Sequence, residues 1–280
     1  MMQSVKIVGI LNSTPDSFYS TSRIRTVLQA KECAQQMIEA GADIIDIGGE
    51  STRPESTEVS ASEELSRIIP IIQAIRSVSD IPLSVDTRKA VVAQQAVKEG
   101  VGMINDVSGL CFDEKMPYVL AKYGVMVVVM HMRGIPQDMQ QKANYNNVIA
   151  EVSKEIMERV EKAQEAGIQK EKIIIDPGIG FAKSVADNLR ILASMSHFTR
   201  LGFPVYLGVS RKSFIGITLG SLDYPLPPEQ RLEGTLAVQA WALLNGVSYL
   251  RVHDVRETAH LVTMLSTIKR YQHYARNINS

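Results

Sequence analysis

Eight short runs rich in Val, Ile and Leu recur along this chain of 280 residues, and nearly every run stops at a polar or charged residue. The runs cover residues 5–11, 42–47, 83–85, 103–104, 125–130, 173–175, 205–209 and 249–252. Stretches with apolar residues at helical spacing separate them, near residues 27–38, 65–75, 89–98, 115–122, 148–166, 185–199, 229–244 and 257–275. Strands that alternate with helices of this length are typical of a parallel sheet.

Glycine marks six of the returns from helix to strand, where the end of a helix commonly needs a left-handed residue. These glycines are Gly41, Gly100, Gly124, Gly167, Gly202 and Gly246. An open doubly wound sheet would also alternate, but it would usually have five or six units and a phosphate-binding glycine fingerprint after its first strand. We therefore predict a single (β/α)8 TIM-barrel domain over residues 1–280. Because the carboxyl ends of all its strands meet on one face, we expect the active site there.

The composition of the chain limits its partners. Thirty Lys and Arg residues balance thirty Asp and Glu residues, which gives no reason to expect nucleic acid or an anionic membrane. The two cysteines, Cys33 and Cys111, form no disulfide framework or metal-binding spacing, which suits a reducing compartment. No apolar stretch approaches the ~20 residues of a membrane span. We expect a cytoplasmic protein that acts on small molecules.

Polar loops follow the first two runs. The first covers residues 12–18 and opens with Asn12. A loop of this kind can extend over a ligand, although Asn, Ser and Asp also bond their own backbone in ordinary turns. The second covers residues 48–54, where paired glycines allow a close approach and Arg53 suits an oxyanion. A solvated turn is the alternative there.

Carboxylates and amides end three further runs. Asp86 follows the third run, Asn105 and Asp106 follow the fourth, and Asp176 follows the sixth. Taken alone, Asp86 is better explained as the N-cap of the next helix. Taken together, these groups form a set of acceptors suited to a flat nitrogen heterocycle with amino and ring N–H donors.

Basic residues cluster after the last two runs, at residues 210–213 and 251–254. In barrels of this type those two loops frequently bind phosphate. Arg251 and His253 lie two apart on a strand, so their side chains point to the same side. His131, at the end of the fifth run, is open to two interpretations, a functional group at the mouth or a hydrogen-bonded buried residue.

Seven motifs, in order along almost the whole chain, resemble those of the dihydropteroate synthase family of the bacterial folate pathway. They are Asn12-Ser13-Thr14-Pro15-Asp16-Ser17-Phe18, Gly49-Glu50-Ser51-Thr52-Arg53-Pro54, Ser84-Val85-Asp86-Thr87, Ile104-Asn105-Asp106, Asp176-Pro177-Gly178, Ser210-Arg211-Lys212-Ser213 and Arg251-Val252-His253-Asp254. The resemblance implies a transferase that joins 6-hydroxymethyl-7,8-dihydropterin diphosphate to 4-aminobenzoate, giving 7,8-dihydropteroate and diphosphate. It also implies a homodimer built from late helices and a target for sulfonamides.

The resemblance assigns roles residue by residue. Asp86, Asn105, Asp176 and Lys212 would hold the pterin, Arg53, Arg251 and His253 the anion, and Thr52, Pro54, Phe181 and Ser213 the aminobenzoate. Val252 completes the implied substrate-binding set. Asn12 would ligate Mg²⁺ bound to the diphosphate. The implied catalytic set is Asp86, Asp176, Lys212, Arg251 and His253. As the bond from pterin methylene to oxygen lengthens, positive charge grows on the pterin and negative charge on the diphosphate. The site therefore needs acidic groups facing the ring and basic groups facing the leaving group.

Two departures from the family pattern are visible. Residues 19–23 contain no glycine where the family usually has an Asp-Gly-Gly segment, and Glu55 follows Pro54 where it usually has glycine. We expect catalysis to survive while loop ordering and antifolate response differ. Two rivals remain: a folate-dependent corrinoid methyltransferase, which holds no diphosphate, and a non-catalytic pterin-binding paralogue, which would have lost the anion-binding residues.

Overall fold

The computed structural model describes residues 5–13, 27–51, 58–135 and 137–278, the last six by their backbone alone. Its strands coincide with the predicted runs, and all are parallel. They are β1 (Lys6–Asn12), β2 (Ile44–Gly48), β3 (Leu83–Asp86), β4 (Met103–Asp106), β5 (Met126–Met130), β6 (Ile173–Asp176), β7 (Tyr206–Gly208) and β8 (Tyr249–Val252).

The sheet curls round until its two edges meet. Strand order is β6-β5-β4-β3-β2-β1-β8-β7, and a parallel bridge between Ile175 and Val205 joins the outer pair. The amide of Ile175 donates to the carbonyl of Pro204 at 3.0 Å across that junction. The predicted (β/α)8 barrel is confirmed, and all eight strands direct their carboxyl ends to the same face.

Helices surround the barrel. They are α1 (Val27–Glu39), α2 (Ala61–Arg76), α3 (Ala90–Lys98), α4 (Met116–Tyr123), α5 (Val148–Glu165), α6 (Val185–Ala193), α7 (Met195–Phe198), α8 (Ser213–Leu219), α9 (Leu232–Leu244) and α10 (Val255–Ile278). All six glycines predicted at helix-to-strand returns have positive φ, from 63° at Gly124 to 101° at Gly41. No helix in the described ranges is long and apolar enough to cross a membrane.

Two helices differ from the sequence expectation. The stretch at 185–199 is two helices, α6 and α7, which meet at Ser194. The short helix α8 was not predicted, because its sequence SFIGITL is rich in β-branched residues and contains Gly216, both poor helix formers. It places Ser213 at its first turn, directly after Lys212, which lies in the loop that follows β7.

Two apolar cores lie on opposite sides of the strands. The larger one fills the space between barrel and helices. The smaller one plugs the barrel interior, and its fully or largely buried members are Val8, Ile44, Met103, Val128, Ile174 and Tyr206. Side chains alternate along a strand, so the residues two positions further on also point inward, one layer nearer the mouth. Asp46, Asn105 and Asp176 are three of them, which explains how polar groups come to lie above an apolar plug.

Candidate active site

A cavity of about 510 Å³ opens at the carboxyl ends of the strands. Most of the sequence-predicted site residues line it: Asn12, Asp86, Asn105, Asp176, Phe181, Lys212, Ser213, Arg251 and His253. Val252 is different, because its side chain alternates outward and is buried in the core between barrel and helices. Thr52, Arg53, Pro54 and Glu55 lie outside the described residues, as do residues 19–23.

Arg251 spans the cavity floor between two carboxylates. Its Nε donates to Oδ2 of Asp46 at 2.7 Å, and its Nη2 donates to Oδ2 of Asp86 at 2.9 Å. Asn105 donates from Nδ2 to the same Asp46 oxygen at 3.2 Å, which leaves its amide oxygen for another donor. Acidic and basic groups are therefore interleaved at the floor, where the residue types had predicted two separate faces.

Asp46 was not predicted as a site residue. It is fully buried inside β2, and its second oxygen, Oδ1, has no hydrogen-bond partner within the described part of the chain. A signal was present in the sequence, since a charged residue in the middle of an apolar strand requires a partner when buried. Asp46 lies inside its strand, whereas the polar site residues were expected at the strand ends.

Asp86 does not cap the following helix. The N-cap position of α3 is Lys89, which makes no side-chain capping bond, and the Asp86 carboxylate turns instead to Arg251. Burial raises the pKa of Asp86 to about 7, an effect that Arg251 opposes and Asp46 reinforces. The acceptor interpretation of this residue therefore fits the geometry better than the capping one.

Asp176 and Lys212 interact electrostatically at the cavity. Burial raises the pKa of Asp176 to about 6 against the opposing charge of Lys212, and it lowers the pKa of Lys212 to about 8 against the charge of Asp176. The Lys212 ammonium donates to the carbonyl of Ile179 and lies 4.5 Å from the centroid of the Phe181 ring. The amide of Gly178 donates to Asp176 Oδ1 at 2.7 Å. The carboxylate of Asp176, the ammonium of Lys212 and the ring of Phe181 therefore line the same cavity.

Arg211 and His253 follow the last two strands, and their side chains have different partners. Arg211 donates from Nε and Nη2 to the carboxylate of Asp254, at 2.9 and 2.7 Å, which ties the loop after β7 to the start of α10. His253 approaches Ser210, whose Oγ accepts from its backbone amide at 3.2 Å and lies 3.0 Å from its Nδ1. The sequence places Arg211 in the basic cluster expected to bind phosphate. In the structure its guanidinium forms an ion pair with Asp254.

Asn12 is the predicted magnesium ligand. Its Oδ1 lies 2.9 Å from the position a Cβ on Gly48 would take, so the missing side chain at Gly48 makes room for this amide. Among the residues that the structure describes, no three His, Cys, Asp or Glu side chains cluster as a metal site. One amide oxygen at a cavity fits a Mg²⁺ whose other ligands are phosphate oxygens and water.

His131 is a buried, hydrogen-bonded residue, as one of its two interpretations had predicted. It is fully buried between Glu155 and Lys183 and does not line the cavity at the barrel mouth. Burial and the nearby charge of Lys183 lower the pKa of His131 to about 3, so the ring is neutral at physiological pH.

Comparison with known proteins agrees with this geometry. The sequence profile of the family described as "Pterin binding enzyme" matches residues 8–253. Dihydropteroate synthase of Synechocystis is 43% identical over 264 residues, covering 94% of this chain and 90% of the relative. That of Bacillus subtilis is 44% identical over 262 residues, covering 94% and 88%.

Solved structures agree as well. Dihydropteroate synthase of Yersinia pestis in complex with a sulfonamide drug superposes with a TM-score of 0.90 at 38% identity and covers 95% of each chain. The Xanthomonas albilineans enzyme in complex with 7,8-dihydropteroate superposes with a TM-score of 0.84 at 39% identity, covering 96% of this chain and 95% of that one.

Fold, cavity and profile together define the class as a pterin-binding barrel enzyme. Relatives above 40% identity over more than nine tenths of the chain narrow it further. The chain belongs to the dihydropteroate synthase family, whose members are transferases.

Proposed function

We propose that this chain joins 6-hydroxymethyl-7,8-dihydropterin diphosphate to 4-aminobenzoate and releases diphosphate. One observation carries the proposal: a single cavity brings Asp86, Asn105 and Asp176 together with Lys212 and His253. The first three supply acceptors for the amino and ring N–H groups of a pterin. The last two supply positive charge or donors for an anion.

Carbon–nitrogen bond formation needs no strong base in this site. The amino nitrogen of aminobenzoate attacks the pterin methylene carbon, the carbon–oxygen bond to diphosphate breaks, and the nitrogen then loses a proton to water or diphosphate. As that bond lengthens, the carboxylates of Asp86 and Asp176 stabilise positive charge on the pterin. Fixed groups of this kind typically supply about 2 to 4 kcal/mol each in a water-poor pocket.

Arg251 and His253 face the leaving group in this proposal. Arg251 is pre-oriented by Asp46 and Asp86, which hold the guanidinium across the cavity floor. Mg²⁺, held by the Asn12 amide oxygen and the diphosphate, would supply positive charge to the departing oxygen. Phe181 and Ser213, at one side of the cavity, would contact the aminobenzoate ring, and a sulfonamide of similar shape would compete there.

A direct assay tests the reaction. The protein is incubated with the pterin diphosphate, Mg²⁺ and 4-aminobenzoate, and dihydropteroate and diphosphate are quantified. We expect equal amounts of the two products. Pterin binding without either product would indicate the non-catalytic paralogue. Methyl transfer from a methylated folate to a corrinoid, with no dihydropteroate formed, would indicate the methyltransferase.

We also propose a homodimer formed through α9 and α10, with residues 1–280 acting as one cytoplasmic domain. Trp241 and Leu244 on α9 are 49% and 54% exposed, and Met264 and Ile268 on α10 are 59% and 55% exposed. Large apolar side chains exposed in this number on two packed helices favour a protein interface. Sedimentation equilibrium of the wild type and of Met264→Glu tests it, because a charge in an apolar interface shifts a dimer to monomer.

A further inference from the structure

Lys183 is a buried lysine that the proposed reaction does not use. Its side chain is 3% exposed, and within the described ranges no carboxylate oxygen lies within 4.0 Å of its Nζ. Its Nζ lies 3.0 Å from Nδ1 of His131 and donates to the carbonyl of Phe181 at 2.9 Å. Both of these partners are neutral, and burial without a counter-ion in contact holds the pKa of Lys183 well below its usual range.

A second buried lysine shows what ordinary compensation looks like. Lys89 is 7% exposed, and its Nζ contacts Glu50 at 2.9 Å and Glu64 at 2.7 Å. Burying a charge is unfavourable unless it is paired, so an unpaired buried lysine is replaceable by an apolar side chain without loss of stability, whereas removing one partner of a buried ion pair is destabilising. Lys89 meets the pairing requirement and Lys183 does not. The contribution of Lys183 to the free energy of folding therefore does not explain its presence.

Lys183 lies in the loop that follows β6, the strand that ends in the proposed pterin acceptor Asp176. Residues 177–183 follow β6, and Gly178, Gly180 and Ala182 have φ of 70°, 84° and 48°. A Cβ on Gly178 would collide with the carbonyl of His131 and would lie 3.3 Å from Nζ of Lys183. The loop is thus held in one unusual conformation, with Lys183 bonded to Phe181 on one side and Lys212 bonded to Ile179 on the other.

His131 and Glu155 form the far side of this arrangement. With Lys183 donating to Nδ1, the neutral ring carries its proton on Nε2 and donates to Glu155 Oε2 at 3.0 Å. The hydrogen bond from His131, together with Arg133, lowers the pKa of Glu155 to about 2 despite partial burial. The carboxylate therefore stays ionised and keeps the imidazole oriented as an acceptor for Lys183.

Asp176 experiences charges from several elements. Lys212 approaches from the loop after β7, Arg251 from β8, and Lys183 from its own loop, and all three favour the carboxylate form. Tyr206 on β7 also lies close enough to interact. The backbone amide of Gly178 completes this set as a donor.

We propose that Lys183 is a positioning residue for the pterin site: its hydrogen bonds to His131 and Phe181 hold the 177–183 loop, and with it the Asp176 carboxylate, in place for the pterin. The inference rests on the proposed function, because the ligand of Asp176 is taken from it. We therefore expect that removal of Lys183 weakens pterin binding but does not lower the stability of the fold.

The test compares Lys183→Met with Lys89→Met, a matched removal of a buried lysine. Calorimetry measures the dissociation constant of the pterin diphosphate between about pH 5.5 and about pH 8.5, and thermal unfolding measures stability. For Lys183→Met we expect affinity weaker by about tenfold across this pH range and an unchanged or higher Tm. For Lys89→Met we expect a lower Tm and a pterin affinity within about twofold of the wild type.

Lys183→Arg, which keeps hydrogen-bond donors at this position, should restore most of the pterin affinity. A Tm loss in Lys183→Met as large as in Lys89→Met, or failure of Lys183→Met to fold, would overturn the proposal, and so would unchanged pterin affinity. Because the readout is binding, it is separable from the assay of the wild type. If the wild type binds the pterin but forms no dihydropteroate, the proposed reaction is wrong. The effect of Lys183 on pterin binding can still be measured in that case.

Discussion

Arg251 and Asp46 are 205 residues apart in sequence and are joined at 2.7 Å on the floor of the cavity. The pair links β8 to β2 across the barrel interior, although β1 lies between those strands in the sheet. It fixes the direction of the guanidinium, which also reaches Asp86. The fold thereby orients a cation before any ligand arrives, which avoids reorganisation during the reaction.

Asp46→Asn tests this pre-orientation. The change leaves Arg251 buried with one fewer carboxylate, so we expect the free energy of unfolding to fall by about 3 kcal/mol, together with a lower kcat. Urea denaturation and steady-state kinetics measure both effects. The control is Asp43→Asn, which breaks the more exposed pair with Lys6 and should reduce stability by less than about 1 kcal/mol. Equal effects of the two changes would contradict the role assigned to Asp46.

The raised pKa values of Asp86 and Asp176 predict how stability depends on pH. Burial favours the protonated carboxyls, so their contribution to stability is present below the ordinary value of 3.8 and is lost as pH rises through about 6 and about 7. Urea unfolding of the ligand-free protein at several pH values between about 5 and about 8 measures this decline. In Asp176→Asn we expect a shallower decline over the same window. An identical slope in the variant would show that Asp176 titrates normally.

Phe181→Leu tests the aminobenzoate wall. The ring lies 4.5 Å from the Lys212 ammonium, a cation–π contact worth about 1 kcal/mol, and it lines the cavity. We expect the KM for aminobenzoate to rise about fivefold while the dissociation constant of the pterin diphosphate stays within about twofold. Phe112→Leu is the matched control, because that ring also faces a cation, Arg88 at 4.0 Å, but lies outside this cavity. A rise in KM of the same size in both variants would remove Phe181 from the site.

Arg211→Lys distinguishes a structural ion pair from an anion-binding residue. The side chains of Arg211 and Asp254 are 6% and 10% exposed, and lysine cannot reproduce the two parallel hydrogen bonds. We expect the unfolding free energy to fall by about 1 to 3 kcal/mol, and Asp254→Asn added to it to cost little more. Diphosphate affinity measured by calorimetry should change less than about threefold. A large loss of diphosphate affinity at unchanged stability would restore Arg211 to the anion site.

Much of the barrel was predictable because its strands are short, apolar and regularly spaced. The site residues Asp86, Asn105 and Asp176 were predictable because each ends a strand, and the carboxyl ends of all parallel strands lie at the same end of the barrel. Asp46 was not found, because it interrupts an apolar run and reveals itself only through its partner Arg251. Lys183 was not singled out either, since its burial depends on packing between β5, the loop after β6 and α5.

A crystal structure with the pterin diphosphate and Mg²⁺ bound would show which side chains contact the pterin ring and which contact the diphosphate. We expect the pterin ring within hydrogen-bond distance, ~3 Å, of Asp86, Asn105 and Asp176, with its diphosphate directed toward His253 and the metal on Asn12. A pterin ring bound away from those three acceptors, or a diphosphate seated among the carboxylates with the metal elsewhere, would contradict this prediction.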